Sequence, residues 1–220
     1  ADTITQEKLR VIKSSGADRI SVNPQTMNNN VLRIIGRNHT AEDTVRAFLS
    51  AREEGFDNIN MDLIAGLPSD TAESYHQTLD RIIDLNPESI TVHTLTIKRS
   101  AKIYEDDIEK YLTAPASEMV NESIRILPEN GYLPYYLYRQ KNTVENLENI
   151  GFAKKGRESL YNIFIMDETQ TILGAGCAAS TKIVQPNGKI TRIHNYKFPY
   201  EYINRFDDLM RKKQIIYELI

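Results

Sequence analysis

Cysteine is almost absent from this chain: Cys177 stands alone among 220 residues. One thiol cannot form an internal disulfide, and it cannot by itself build a cysteine-ligated zinc or iron–sulfur centre. Tryptophan is missing, and the four histidines, His39, His76, His93 and His194, form no HxH or HxxxH arrangement. No metal site is therefore read from them, and surface or packing roles are expected. Neither sign of charge dominates, since 27 basic and 30 acidic residues give a formal net charge of -3. Their mixing along the chain leaves no electrostatic footprint for nucleic acid or an anionic membrane. No apolar run approaches the roughly 20 residues needed to span a bilayer, and the N-terminus lacks the basic-then-apolar pattern of a signal peptide. A cytoplasmic location is the expectation. Neither G-x-S-x-G nor G-x-x-x-x-G-K occurs. Gly174-Ala175-Gly176-Cys177 superficially matches a dinucleotide fingerprint, but no amphipathic helix follows it. Close backbone packing is the reading there, with Cys177 a packed thiol.

What the chain does have is one highly organised stretch, Asn58 to Pro68. Ile59, Met61 and Leu63 alternate with Asn60, Asp62 and Ile64, as on the two faces of a strand. Helical patterns flank it at Ala41 to Glu54 and Thr71 to Leu85, which is how a parallel strand in a βα repeat reads. Parallel strands between helices are normally apolar on both faces. Here an amide and a carboxylate lie on one face near the C-terminal end, where (β/α) barrels bind ligands. Asp62 is the foremost functional candidate on these grounds, the other reading being a carboxylate that caps a neighbouring loop.

Along the rest of the chain, Thr5 and Gly16 bound a first helix, and Asp18 to Gln25 read as a strand in which Ile20 and Val22 alternate with Ser21 and Asn23. A short helix with Val31, Ile34 and Ile35 inward ends at Gly36. Thr40 and Asp43 form a loose capping box for a helix expected to bury Val45, Phe48 and Leu49. The helix after Thr71 should bury Tyr75, Leu79, Ile82 and Ile83, and Ser89 to Ile97 is the next strand. Three strands spaced by about 30 to 40 residues fit half of a (β/α) barrel. Beyond Lys98-Arg99 the repeat stops. Ala116 to Asn130 reads as a helix with Met119, Ile124 and Leu127, interrupted by Pro128. Strands are then expected at Tyr132 to Gln140, Tyr161 to Met166 and Thr171 to Leu173, a hairpin across Pro186-Asn187-Gly188, and a last helix over Tyr200 to Lys213 with Tyr202, Ile203, Phe206 and Met210 inward. The fold class is α/β, with domains at 1–105 and 106–220, the second α+β.

Tyr132, Tyr135, Tyr136 and Tyr138 admit two readings. They pack as core, or they line a pocket for a flat, carboxylated ligand whose carboxylates Arg139 and Arg99 would clamp.

Arg19-Ile20-Ser21-Val22-x-x-Gln25, Gly36-Arg37, Gly55-Phe56-x-x-Ile59-Asn60-Met61-Asp62-Leu63-Ile64-x-Gly66-Leu67-Pro68 and Leu85-Asn86-Pro87 resemble the second half of the radical S-adenosylmethionine (SAM) domain in oxygen-independent coproporphyrinogen III oxidases, also called coproporphyrinogen dehydrogenases. The Tyr135 to Asn142 segment resembles a divergent branch of that family. The resemblance implies the C-terminal half of a radical SAM partial barrel over 1–105, followed by a family-specific α+β domain over 106–220. It places Gln25, Arg37, Asp62, Ile64 and Thr96 at SAM-contacting positions, with Asp62 at the ribose hydroxyls and Arg37 near the methionyl carboxylate. The family's C-x-x-x-C-x-x-C loop has no counterpart here, so the [4Fe–4S] ligands are expected upstream of a chain that reads as a fragment.

The implied activity of the complete protein is oxidative decarboxylation of coproporphyrinogen III to protoporphyrinogen IX, begun by reductive cleavage of SAM. A tetrapyrrole substrate and an electron donor are the implied partners; no residue of this chain is assigned to the chemistry itself. The alternative is a haem-binding or haem-delivering relative without decarboxylase activity. A third reading is an unrelated barrel enzyme. A chain beginning at this point would expose an unpartnered edge at the Arg19 to Val22 strand and an open polar face; either self-association through that edge or its cover by the N-terminal helix is expected, the former being favoured.

Overall fold

The computed structural model describes residues 3–96, 114–139, 141 and 143–219. Thr5 caps helix α1 (Gln6–Ser14) by accepting from the Lys8 amide, satisfying one of the orphan donors at a helix start. Strand β1 is only Ile20–Ser21, shorter than the sequence pattern suggests, because the chain leaves the ladder at Asn23-Pro24 and touches β2 again only at Gln25. Helix α2 (Asn29–Ile34) is capped by Asn28 and buries Val31 and Leu32. Helix α3 (Ala41–Glu53) begins with the full Thr40/Asp43 capping box. Strand β2 (Ile59–Ala65) follows, then α4 (Ala72–Leu85), closed by Asn86 in the left-handed conformation, then β3 (Ser89–Thr94). After residues outside the description come α5 (Ala116–Glu129), with Pro128 in its last turn, β4 (Leu133–Tyr138) and β5 (Asn149–Ala153).

These strands make one sheet in the order β1-β2-β3-β5-β4. β1, β2 and β3 run parallel, while β5 is antiparallel to both β3 and β4. Ile59, Met61, Leu63, Ile90, Val92 and Phe152 are fully buried on one face. Phe48 and Ala51 of α3, Tyr75, Leu79 and Ile82 of α4, and Met119 and Leu127 of α5 join them in one core. Each residue carries the pleat's period of two, so every polar partner of the alternation is turned to the opposite face. That geometry is a half (β/α) barrel of the class expected. Two inward faces differ from the periodicity: Leu49 and Ile34 are exposed, because α3 turns Ala41, Thr44, Ala47, Phe48 and Ala51 inward and α2 buries Val31 and Leu32 instead. Ile124 of α5 is exposed for the same reason, with Ser123 buried beside it.

The chain divides into compact units at Ala1–Glu158 and Ser159–Ile220. The boundary expected at residues 105 and 106 lies outside the described residues, as does Arg99; β4 and β5 beyond it share the sheet of β1, β2 and β3.

In the second unit, Tyr161 to Met166 is helix, not strand: α6 spans Leu160–Asp167. A short apolar run has no periodicity to separate the two states. A distant residue decides it, since Lys182 Nζ donates to the Phe164 and Ile165 carbonyls at 3.1 and 3.4 Å, satisfying acceptors at the helix's end. β6 (Ser180–Val184) and β7 (Ile190–His194) form the expected hairpin. The single final helix is three: α7 (Pro199–Asn204), α8 (Phe206–Lys213) and α9 (Ile216–Leu219). The first break falls at Arg205, whose guanidinium lies 4.4 Å from the Tyr196 ring. Leu209 is buried, whereas Ile203, Phe206 and Met210 are exposed. Gly174 packs against the Ser180 backbone, where a Cβ would stand 2.6 Å from the carbonyl, and the Cys177 thiol faces the Tyr196 and Lys197 carbonyls. Among the described residues no helix is long and apolar enough to cross a membrane.

Candidate functional site

The face of the sheet opposite the apolar core carries Ser21, Asn60, Asp62, Ser89, Thr91 and His93, aligned because Ser21 pairs with Asn60, Asn60 with Ser89, Asp62 with Thr91 and Ile64 with His93 in register. Asp62 is its centre. Asn60 Nδ2 donates to Asp62 Oδ1 at 2.6 Å, and His93 Nε2 lies 3.8 Å from Oδ2. Burial pushes the Asp62 carboxyl upward, but His93, Asn60 and Thr91 together outweigh it and hold the group below the usual carboxylate value. The carboxylate is therefore charged, largely sheltered and ready to accept hydrogen bonds.

Gln25 is joined to this centre by its backbone. Its amide donates to the Asp62 carbonyl at 3.0 Å, and its carbonyl accepts from the Ile64 amide at 2.9 Å. Held so, Gln25 takes a φ of 71°, a left-handed conformation that side chains larger than glycine adopt at a cost. Its neighbour Pro24 accepts from buried His39 Nε2 at 3.3 Å.

Two clefts open beside these residues. One of about 480 Å³ is lined by Ser21, Asn23, Gln25, Gly36, Arg37 and His39 among others. A second of about 260 Å³ is lined by Gly36, Arg37, Ile64, Leu67, Pro68 and Leu95 among others. Arg37 lines both, so it bridges the Gln25 side of the site to the Ile64 side. Asp62 lines neither cleft and lies one step down the face from Ile64. Thr96 stands apart from the other four: it bridges to Thr143 and bonds the Thr94 carbonyl.

Sequence reasoning passed over His93. Three of the four histidines do fit packing or surface roles: His39 is buried on Pro24, His76 pairs with Glu122 at 2.9 Å, and His194 is exposed. His93 instead faces Asp62. The signal was present in the alternation Thr91-x-His93, which repeats that of Asn60-x-Asp62 on the adjacent strand. The tyrosines also resolve. Tyr136 and Tyr138 are half-buried on the polar side with rings 6.2 Å apart and nearly parallel, and burial, with the Asp62 charge adding to it, pushes both phenols up. Arg139 pairs with Glu148.

The fold is a half-barrel with three parallel strands and a charged carboxylate midway along the second, and the comparisons bear on its class. The radical SAM superfamily description matches residues 1–82. Beyond those residues the chain is similar to oxygen-independent coproporphyrinogen III oxidase-like proteins of that superfamily. It is 45% identical over 96% of its length to the oxygen-independent coproporphyrinogen-III oxidase-like protein HemZ of Bacillus subtilis, covering 43% of that protein. It is 30% identical to the heme chaperone HemW of the same organism over 80% of this chain and 44% of the relative. The solved coproporphyrinogen III oxidase HemN of Escherichia coli shares the fold, with a TM-score of 0.69 at 23% identity over 94% of this chain and 47% of that one. The chain thus spans about half the length of the curated relatives it matches.

Proposed function

We propose that the polar face binds S-adenosylmethionine, with Asp62 accepting from the ribose hydroxyls, Arg37 meeting the methionyl carboxylate, and Gln25 and Ile64 closing the sides. Thr96 is the outermost proposed contact. The observation that carries this reading is the ionised, largely sheltered Asp62 carboxylate on a strand whose backbone at Asp62 and Ile64 is bonded to a strained Gln25, with Gln25, Ile64 and Arg37 lining two clefts that meet at Arg37. When bound, the cofactor supplies the oxidising radical chemistry of the family. This chain's residues supply its orientation and shelter from water. The [4Fe–4S] cluster does not fit the residues present: Cys177 is the one thiol here and its sulfur is engaged with two backbone carbonyls. Cluster ligands in this proposal come from outside these 220 residues.

The reaction we propose for the whole protein is oxidative decarboxylation of coproporphyrinogen III to protoporphyrinogen IX, fed by an external electron donor. The similarity to a heme chaperone over 80% of the chain supports a second reading, haem binding and delivery without decarboxylation. In the intact protein, Asp62→Asn should weaken SAM binding by about 1 to 3 kcal/mol, since a charge-assisted acceptor is lost. Unchanged affinity by calorimetry in a folded variant removes Asp62 from the site. Vinyl products from coproporphyrinogen III support the decarboxylase; a stable haem complex without them supports the second reading.

A further inference from the structure

Asn60 is 3% exposed, and its carboxamide is the meeting point of three neighbouring side chains. Arg19 Nη2 donates to Ser89 Oγ at 3.1 Å. A guanidinium has donors and no acceptor, so Ser89 accepts there and its own proton is directed elsewhere. It goes to Asn60 Oδ1, 3.0 Å away. Thr91 Oγ1 donates to the same oxygen at 3.2 Å. With two hydroxyl donors converging on Oδ1, the amide is fixed in one orientation, and its Nδ2 is turned to Asp62 Oδ1 at 2.6 Å and to Ser21 Oγ at 3.4 Å. The opposite orientation would set two oxygens against each other at the Asp62 contact. Hydrogen-bond polarity therefore runs one way along the chain of donors, from the guanidinium beside β1 to Ser89 on β3 and back through Asn60 to the carboxylate on β2, each bond polarising the next.

We infer that Arg19, Ser89 and Asn60 form a positioning relay for Asp62, which engages Oδ1 from behind and leaves Oδ2, with His93 Nε2 3.8 Å away, as the oxygen turned to a ligand. The inference rests on the reading of Asp62 as a ligand acceptor, and it explains why a strand between helices tolerates a buried amide. Other groups facing Asp62 are Thr91 and His93 on β3 and Tyr136 and Tyr138 on β4, and none of these is altered by substitutions at Arg19 or Ser89.

The test is the titration of the Asp62 carboxyl carbon, followed by NMR in the intact protein labelled with ¹³C-aspartate and assigned with Asp62→Asn. Ser89→Ala interrupts the relay and should raise the Asp62 midpoint by about 0.5 to 1 pH unit. Arg19→Met, a change at a part-exposed position, should raise it in the same direction, and Arg19→Lys, which keeps a cationic donor, should restore most of the wild-type value. A midpoint unmoved in both Ser89→Ala and Arg19→Met overturns the relay. If Ser89→Ala does not fold, the Arg19 pair decides alone. SAM affinity measured on the same samples keeps the two readings apart: wild-type protein that fails to bind refutes the functional proposal, whereas the titration judges the relay whether or not ligand binds.

Discussion

The Tyr136 ring lies against Gly151 so closely that a Cβ on the glycine would stand 1.9 Å from Tyr136 Cε1. Gly151 has no unusual backbone angle to justify its presence; the ring above it does. The register places Asp62, Thr91, Gly151 and Tyr136 in one row across β2, β3, β5 and β4. By lacking a side chain, Gly151 lets Tyr136 reach over its own neighbour towards Thr91, an aromatic covering a bare strand position. Burial pushes the Tyr136 phenol up to about 12, so it stays protonated. Gly151→Ala must displace the ring and should cost about 1 to 3 kcal/mol of stability. The cost should largely vanish in a Tyr136→Ala background, which urea denaturation of the single and double variants measures.

Gln25 offers the opposite case, a residue under backbone strain. With φ at 71°, Gln25→Gly removes the steric penalty and should raise stability by about 1 kcal/mol. The same variant loses the side chain lining the larger cleft, so SAM affinity should fall while the melting temperature rises. Calorimetry and thermal denaturation on one preparation would show the two trends diverge.

Asp62 and Asp70 should respond oppositely to pH. Asp62 is held below its ordinary value of 3.8 in the fold, so its stabilisation is present above that value and is lost as pH falls through the folded one. Asp70, fully buried, is raised above 3.8 by burial despite hydrogen bonds from Ser74 and Thr71. Its contribution is complete below 3.8 and is lost as pH rises through the folded value. Relative to wild type, Asp62→Asn should therefore lose ground, and Asp70→Asn gain it, as pH rises from about 3 to about 7. Denaturant midpoints across that range give the two slopes.

Glu88 ties the far end of the sheet. It pairs with Arg52 at 2.8 Å and accepts from the Ile59 amide at 2.9 Å, with Lys154 3.9 Å away. Glu88→Ala leaves that strand-opening amide without its acceptor and should cost about 2 kcal/mol, with SAM affinity changed little because the group lies at the opposite end of β2. Denaturation and calorimetry together separate this structural role from a ligand role.

β1 is an edge, with no strand on its outer side among the described residues. We expect the isolated 220-residue chain to self-associate through it. Light scattering should show mass rising with concentration, and a strictly monomeric chain with a freely exchanging Ser21 amide, the one turned away from β2 between the Ile20 and Val22 amides that bond it, would show that the edge is tolerated.

Local chemistry was legible in the sequence wherever short-range rules act alone. Thr5, Thr40 and Thr71 cap the helices they precede because a cap needs only its own next turn. The Ile59/Met61/Leu63 alternation told the two faces of β2 apart because the pleat has a period of two, and that picked out Asp62. Tertiary structure decided what depends on neighbours distant in the chain. Leu49 is exposed because α3 turns its small residues inward, and Tyr161 to Met166 is helical because Lys182, brought up by β6, satisfies the carbonyls at its end. His93 faces Asp62 through parallel register between β2 and β3. Gln25 is strained by its bonds to Asp62 and Ile64, and Gly151 is required by a tyrosine from the adjoining strand. None of these follows from periodicity, because hydrogen-bond partners and steric contacts are set by which strands lie side by side, and the sheet order β1-β2-β3-β5-β4 comes into being only on folding.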